Sequence, residues 1–70
     1  MKASARNRLP GVVTEVKIEG LMAQVELKVV DNHVVSLISA EAALELDLKV
    51  GDRAVAMVKA TSVMVARDED

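Results

Sequence analysis

The chain has 70 residues, a length that fits one small domain without room for a large hydrophobic core. It contains no cysteine and no aromatic residue, so neither disulfides nor aromatic packing can strengthen that core, and we expect subunits to associate. The formal net charge of −2 excludes a general attraction to nucleic acid, so any anion would have to be held by a local site.

Alternation of apolar and polar residues dominates the first half of the chain. It predicts one strand over residues 12–18 and a second over residues 21–29, joined by a turn at Glu19 and Gly20. Asp31 and Asn32 tolerate positive φ angles. We expect them to turn the chain into a third strand over residues 33–38.

The second half begins with a short helix and ends in strands. Ser39 is a suitable helix N-cap, and residues 40–45 are mostly good helix formers, which predicts one or two helical turns. A turn at residues 50–52 then leads to final strands over residues 53–59 and 62–66.

The run at residues 54–58 is the longest apolar stretch, and it is apolar on both faces of its strand. Both faces therefore need cover, which a second subunit would provide. The run is too short to cross a bilayer, and the N-terminus lacks the apolar stretch of a signal peptide, so we expect a cytoplasmic protein. With no repeat or linker, residues 1–70 are predicted to form a single all-β domain with one short helix, a small barrel or sandwich.

Two short segments at opposite ends of the chain carry the chemistry of an anion site. Each places one cation beside small residues that offer hydroxyl or amide donors and leave the backbone N–H groups accessible. A compact dianion requires such a set of donors. The candidates are Ser4, Ala5, Arg6 and Asn7 in the first segment and Lys59, Ala60, Thr61 and Ser62 in the second.

These segments, and the residues between them, resemble the molbindin (Mop) family of small molybdate-binding modules, also called TOBE-type domains. The resemblance rests on Ser4-Ala5-Arg6-Asn7 followed by Leu9 and Gly11, on Leu48-x-x-Gly51 before an apolar run, and on Val58-Lys59-Ala60-Thr61-Ser62-Val63-Met64. The chain departs from the family at Pro10, where a polar or basic residue is common. Pro10 lacks the N–H that a strand ladder uses, which puts pairing of the first strand at that position in question.

The resemblance implies an OB-like β-barrel that binds molybdate, or tungstate of the same shape and charge, for intracellular storage and molybdenum homeostasis. It also implies a homohexamer, a trimer of dimers, with anions between subunits. The hydroxyl of Ser39 is then placed near the anion, at the start of a helix. Molybdenum would be bound as molybdate, without direct coordination by side chains and without an organic cofactor.

Each candidate also has a plain structural explanation. Arg6 is compatible with an ordinary solvated arginine, and Lys59 with a lysine whose stem covers the edge of the core. Ser39 is compatible with a helix cap alone. Strand alternation favours Thr61 over Ser62 as the side chain that faces the pocket.

Other functions find less support in the sequence. The chain offers no cysteine nucleophile, no Ser/His/Asp arrangement and no glycine-rich phosphate loop, so we expect no enzymatic activity. Its single histidine, His33, stands beside a turn and makes no metal site alone. Single-stranded nucleic acid binding needs aromatic platforms and a basic groove, which this chain lacks. A protein-interaction or regulatory module stays open as the alternative, and an apolar face left exposed in the oligomer would favour it.

Overall fold

The computed structural model describes residues 4–68. In chain order the elements are β1 (Asn7–Glu19), β2 (Met22–Val29), β3 (Asn32–Ser39), α1 (Ala40–Leu46) and β4 (Arg53–Val58), followed by a single 3-10 turn (Ala60–Ser62). A domain made mostly of strands with one short helix confirms the predicted fold class.

One antiparallel sheet in the order β3-β2-β1-β4 forms the domain. The 13-residue strand β1 serves both halves of this sheet, because residues 7–12 pair with β4 and residues 12–19 pair with β2. Val12 stands at the junction, with Arg53 of β4 as one partner and Lys28 of β2 as the other. The two halves of the sheet are therefore joined through a single strand.

Two features of β1 let the sheet bend near this junction. The register with β2 shifts between Val13 and Glu15, and such an irregularity bends a strand and increases its twist. Gly11 approaches β2 so closely that a Cβ atom there would stand 2.5 Å from the carbonyl oxygen of Lys28 and 2.9 Å from Cγ2 of Val29. The sheet curls into an OB-like half-barrel, as predicted, with β3 and β4 as its edges.

The hydrophobic core is small. Val13, Val25 and Leu27 form its buried centre. Around them pack the partly buried side chains of Val16, Val29, Ile38, Leu48 and Ala54. Several large apolar residues elsewhere in the described chain are exposed, including Leu37 and Met64. A core of this size leaves much apolar surface for association with other chains.

The helix begins where the local sequence predicts and ends one residue later, at Leu46. The hydroxyl oxygen of Ser39 accepts a hydrogen bond from the N–H of Ala42 at 3.0 Å, which confirms the predicted N-cap. Asp47 ends the helix in the left-handed region, with φ of 51°. α1 therefore spans seven residues, or two turns. The described residues include no helix with the length and apolar character needed to span a membrane.

The turn between β2 and β3 lies one residue earlier than predicted. Val29 pairs with Asn32, so the loop consists of Val30 and Asp31, and Val30 adopts a φ of 56°. A β-branched residue fits this region poorly. The predicted turn at Asp31 and Asn32 is therefore wrong, because the register of the two strands outweighs the local turn preference.

Strand β1 begins earlier than predicted and continues through Pro10, which stands opposite Val55 in the ladder with β4. At that level β1 is paired on one side only, since its pairing with β2 starts at Val12. Proline is tolerated where one side of a strand has no ladder. Pairing of the first strand is thus maintained across Pro10.

The predicted strand over residues 62–66 does not form within the chain. Residues 53–58 make β4, but a 3-10 turn follows, and residues 63–68 belong to no strand. A strand needs a neighbouring edge to satisfy its backbone groups, and these residues pair with neither edge strand of the sheet, β3 or β4. Because Thr61 and Ser62 both lie in the 3-10 turn, strand alternation does not distinguish between them.

Candidate functional site

Pairing of β1 with β4 brings the two predicted anion-binding segments together. The last pair of this ladder joins Asn7 to Val58. Arg6 comes immediately before Asn7, and Lys59 immediately after Val58, so both cations lie at the same end of the sheet. Two segments from opposite ends of the sequence thus become neighbours.

A side-chain hydrogen bond fastens this end of the sheet. Nδ2 of Asn7 donates to the carbonyl oxygen of Val58 at 3.1 Å, in a partly buried position. The sequence predicts Asn7 as a donor to the anion, whereas the structure shows that its amide also ties β1 to β4. One N–H of the amide is used in this bond and the second is left for another acceptor.

The cations at this end are exposed and uncompensated. The side chains of Arg6 and Lys59 form neither an ion pair nor a hydrogen bond with any residue from 4 to 68. Arg8, also exposed, stands opposite Met57 and adds a third positive charge nearby. Sequence reasoning missed Arg8, although its position two residues after Arg6 on an extended chain was a usable signal.

The 3-10 turn that follows Lys59 leaves backbone donors unused. The N–H of Ser62 donates to the carbonyl oxygen of Lys59 at 2.9 Å, and that of Val63 donates to Ala60 at 3.3 Å. The turn itself uses neither the N–H of Ala60 nor that of Thr61. All three residues of the turn are exposed, so these N–H groups and the hydroxyls of Thr61 and Ser62 are candidate donors to a ligand.

The remaining candidates divide between the two ends of the sheet. Ser4 is exposed and Ala5 half-buried, and both lead directly into Arg6. Ser39 lies elsewhere, because it pairs with Met22, and Met22 pairs with Glu19 at the far end of β1 from Asn7. One chain therefore gathers eight of the nine candidates at one end and keeps Ser39 at the other.

Residues 3–65 match the family model of the TOBE domain. This chain belongs to the TOBE-domain family. It is 44% identical over 66 residues to the probable molybdenum-pterin-binding protein of Haemophilus influenzae, covering 93% of this chain and 96% of that protein. It also superposes on the molybdate-binding protein of Sporomusa ovata with a TM-score of 0.91 and 34% identity, over 96% of this chain and 100% of that one.

The chain is also similar to part of a longer protein. The molybdenum transport protein ModE of Azotobacter vinelandii is 33% identical over 69 residues, which span 97% of this chain but 26% of that protein. The expected family and the OB-like fold are both confirmed by these similarities.

The chemistry of this TOBE domain's cationic end is that of an anion receptor. It combines guanidinium, ammonium, hydroxyl and backbone N–H donors, and no carboxylate pairs with Arg6 or Lys59 in the described chain. The described residues also hold no cluster of His, Cys, Asp or Glu that could bind a metal ion. His33 is exposed at the start of β3, opposite Lys28 and away from the cationic end.

Proposed function

We propose that this TOBE domain binds molybdate, with tungstate as an equivalent ligand, and stores or buffers the oxyanion in the cytoplasm without catalysing a reaction. The observation that carries this proposal is the adjacency of Arg6 and Lys59, two exposed cations without carboxylate partners among the described residues. The names of the relatives from Haemophilus influenzae and Sporomusa ovata support molybdenum as the element and molybdate as the ligand.

The donor set favours fully ionised tetrahedral dianions. Guanidinium, ammonium, amide N–H and hydroxyl groups all donate to an oxyanion, and charge-assisted bonds are the stronger ones. Monohydrogen phosphate carries a proton that would need an acceptor in the same pocket, and an unpaired buried polar group weakens binding. Phosphate is therefore expected to bind much more weakly than molybdate, while sulfate is distinguished by size alone.

We further propose that the complete pocket forms between subunits of a homohexamer, a trimer of dimers. Ser39 supports this arrangement, because one chain holds it at the far end of β1 from Asn7. A second chain could supply the hydroxyl of Ser39 to the cationic end of the first. Association would also cover β4, whose residues are apolar on both faces after Arg53.

Isothermal titration with molybdate, tungstate, sulfate and phosphate tests the ligand, and Arg6→Ala tests the site. Loss of one charge-assisted donor should weaken molybdate binding by about 1.5 to 3 kcal/mol, or roughly one to two decades in Kd. Arg53→Ala is the matched control, since it removes the same charge from an exposed arginine at the other end of β4. His33→Ala should also leave binding unchanged. Equal affinity for phosphate and molybdate, or normal binding by Arg6→Ala, would contradict the proposal.

Thermal unfolding and sedimentation test the location between subunits. A ligand at about 100 times its Kd stabilises the state that binds it by roughly 2.7 kcal/mol per site, so molybdate should raise the melting temperature at fixed protein concentration. Dilution should dissociate the ligand-free assembly before the loaded one. A monomer that binds molybdate tightly would rule out a site shared between chains.

A further inference from the structure

The outer face of the β1–β4 ladder carries positive charges and no negative ones. Exposed and half-buried positions alternate from residue 4 to residue 8, so Arg6 and Arg8 share one face, opposite to that of Asn7. This outer face consists of the even-numbered residues from 6 to 12 and the odd-numbered residues from 53 to 59. Its charged members are Arg6, Arg8, Arg53 and Lys59, and none is acidic, although the net charge of the chain is −2.

Arg8 has no charged partner within its own chain. Its side chain is exposed and forms neither an ion pair nor a hydrogen bond with any residue from 4 to 68. Across the ladder it stands opposite Met57, and the next pair on the same face is Pro10 with Val55. These neighbours can support the apolar stem of the arginine, but their side chains cannot neutralise its guanidinium. The nearest acidic residue along β1 is Glu15, in the half that pairs with β2.

Arg8 lies close to the two cations of the proposed site, whereas Arg53 does not. The ladder pairs Asn7 with Val58, and one further step of the same register places Arg6 opposite Lys59. Two residues of strand span about 6.7 Å, so Arg8 lies within one Debye length of that level, which is about 10 Å at 0.1 M salt. Arg53 stands opposite residue 12, about 20 Å along the strand from Arg6. Of these two arginines, only Arg8 adds to the electrostatic potential at the site.

We propose that Arg8 is a specificity-determining residue of the oxyanion site, whose charge favours tetrahedral dianions over tetrahedral monoanions of the same size. The energy of an ion near a fixed charge is proportional to the charge of the ion. At about 8 Å in water, one guanidinium therefore strengthens the binding of a dianion about fivefold and that of a monoanion about twofold.

This inference rests on the proposed function, because it assigns a further residue to the same site. It does not depend on how many subunits complete the pocket. Arg8 and Arg6 are two residues apart in one chain, so their separation is the same in a monomer and in an oligomer.

Two substitutions separate the charge of Arg8 from its packing. Arg8→Met keeps an unbranched apolar stem opposite Met57 and removes the charge, whereas Arg8→Lys keeps the charge. The ligands are molybdate and perrhenate, a tetrahedral monoanion of similar size, and the Kd of the weaker ligand is measured by competition against the stronger one. Arg53→Met is the matched control, since it removes the same charge from the same face at a distance beyond the Debye length.

In low-salt buffer Arg8→Met should raise the Kd of molybdate about fivefold and that of perrhenate about twofold. Arg8→Lys should restore both values, and Arg53→Met should change neither. In 1 M salt the Debye length falls to about 3 Å, so the natural chain and Arg8→Met should bind molybdate alike. An unchanged Kd for molybdate in Arg8→Met would overturn the inference. Equal losses for the two ligands, a loss that lysine does not restore, or a loss that persists in 1 M salt would overturn it as well.

The same titrations show whether the proposed function fails instead. If the natural chain does not bind molybdate, or if Arg6→Ala binds it normally, the site itself is wrong and the role of Arg8 falls with it. If the natural chain binds molybdate and Arg6→Ala weakens binding, while Arg8→Met changes neither Kd, only the role assigned to Arg8 is wrong.

Discussion

The hydrogen bond from Asn7 to Val58 predicts how strongly the cationic end depends on one amide. The bond is 3.1 Å long, partly buried, and joins residues 51 positions apart. Asn7→Ala removes it and should lower the free energy of unfolding by about 1 kcal/mol. Asn7→Asp should lower the free energy of unfolding by more, about 1 to 3 kcal/mol near pH 7. The carboxylate has no N–H to donate, so two oxygens, one from Asp and one from the Val58 carbonyl, would face each other.

The assay is thermal unfolding followed by circular dichroism at fixed protein concentration, since a chain without aromatic residues offers no intrinsic fluorescence. A loss of 1 kcal/mol corresponds to about 4 to 8 °C in a domain of this size. Asn32→Asp is the matched control, because Asn32 is exposed and its side chain makes no hydrogen bond within the described chain.

The Asn7→Asp variant also has a defined pH dependence. Only the protonated carboxyl can donate to Val58, so the pKa of the new carboxyl should be higher in the folded than in the unfolded chain. The loss of stability relative to the natural chain should then be smallest at a pH below the pKa of the unfolded chain, about 3.9. It should grow as the pH rises through the pKa of the folded chain. A deficit at pH 7 no larger than that of Asn32→Asp would refute the role assigned to the Asn7 amide.

Three further substitutions test other parts of the fold. Gly11→Ala would place a Cβ 2.5 Å from the carbonyl oxygen of Lys28 and force β1 and β2 apart. The free energy of unfolding measured by chemical denaturation should fall by about 1 to 3 kcal/mol. Unchanged stability would mean that the strands can separate without cost. Val30→Asn relieves a β-branched residue at φ 56° and should stabilise the chain by about 1 kcal/mol; a lower melting temperature would contradict the assigned strain. Ser39→Asp keeps an acceptor for the N–H of Ala42, so the stability of the fold should be preserved. The added negative charge should weaken molybdate binding. An unchanged affinity in the titration would leave Ser39 as a helix cap alone.

Local signals in the sequence predicted the parts of the fold that depend on neighbouring residues. The N-cap at Ser39 is confirmed because capping involves only the residues of the next turn. The first loop contains Gly20 at φ of 58°, as predicted, but it consists of Gly20 and Leu21, one residue later than the predicted turn at Glu19 and Gly20, because Glu19 pairs with Met22. The loop at Val30 was missed because register, which no local pattern records, determines its position.

The site shows the same division between local and distant information. The two cationic segments were identified from their composition, and the ladder between β1 and β4 brings them together. The bond from Asn7 to Val58 was not predictable, because its acceptor is a backbone carbonyl that the sequence does not single out. The prediction of a strand over residues 62–66 was wrong for the single chain. Alternation of apolar and polar residues indicates that a segment can form a strand, but it does not identify the strand with which the segment pairs.

Because β1 pairs with both β2 and β4, the order of the strands along the chain also affects the order in which the sheet can form during synthesis. The second half of β1 forms a three-stranded antiparallel meander with β2 and β3, and all three strands are synthesised before β4. Residues 7–12, although made early, have no ladder partner until β4 follows. Contacts between distant parts of a chain form late because they must close a long loop. We therefore expect the cationic end to be the last part of the sheet to pair, after β1, β2 and β3.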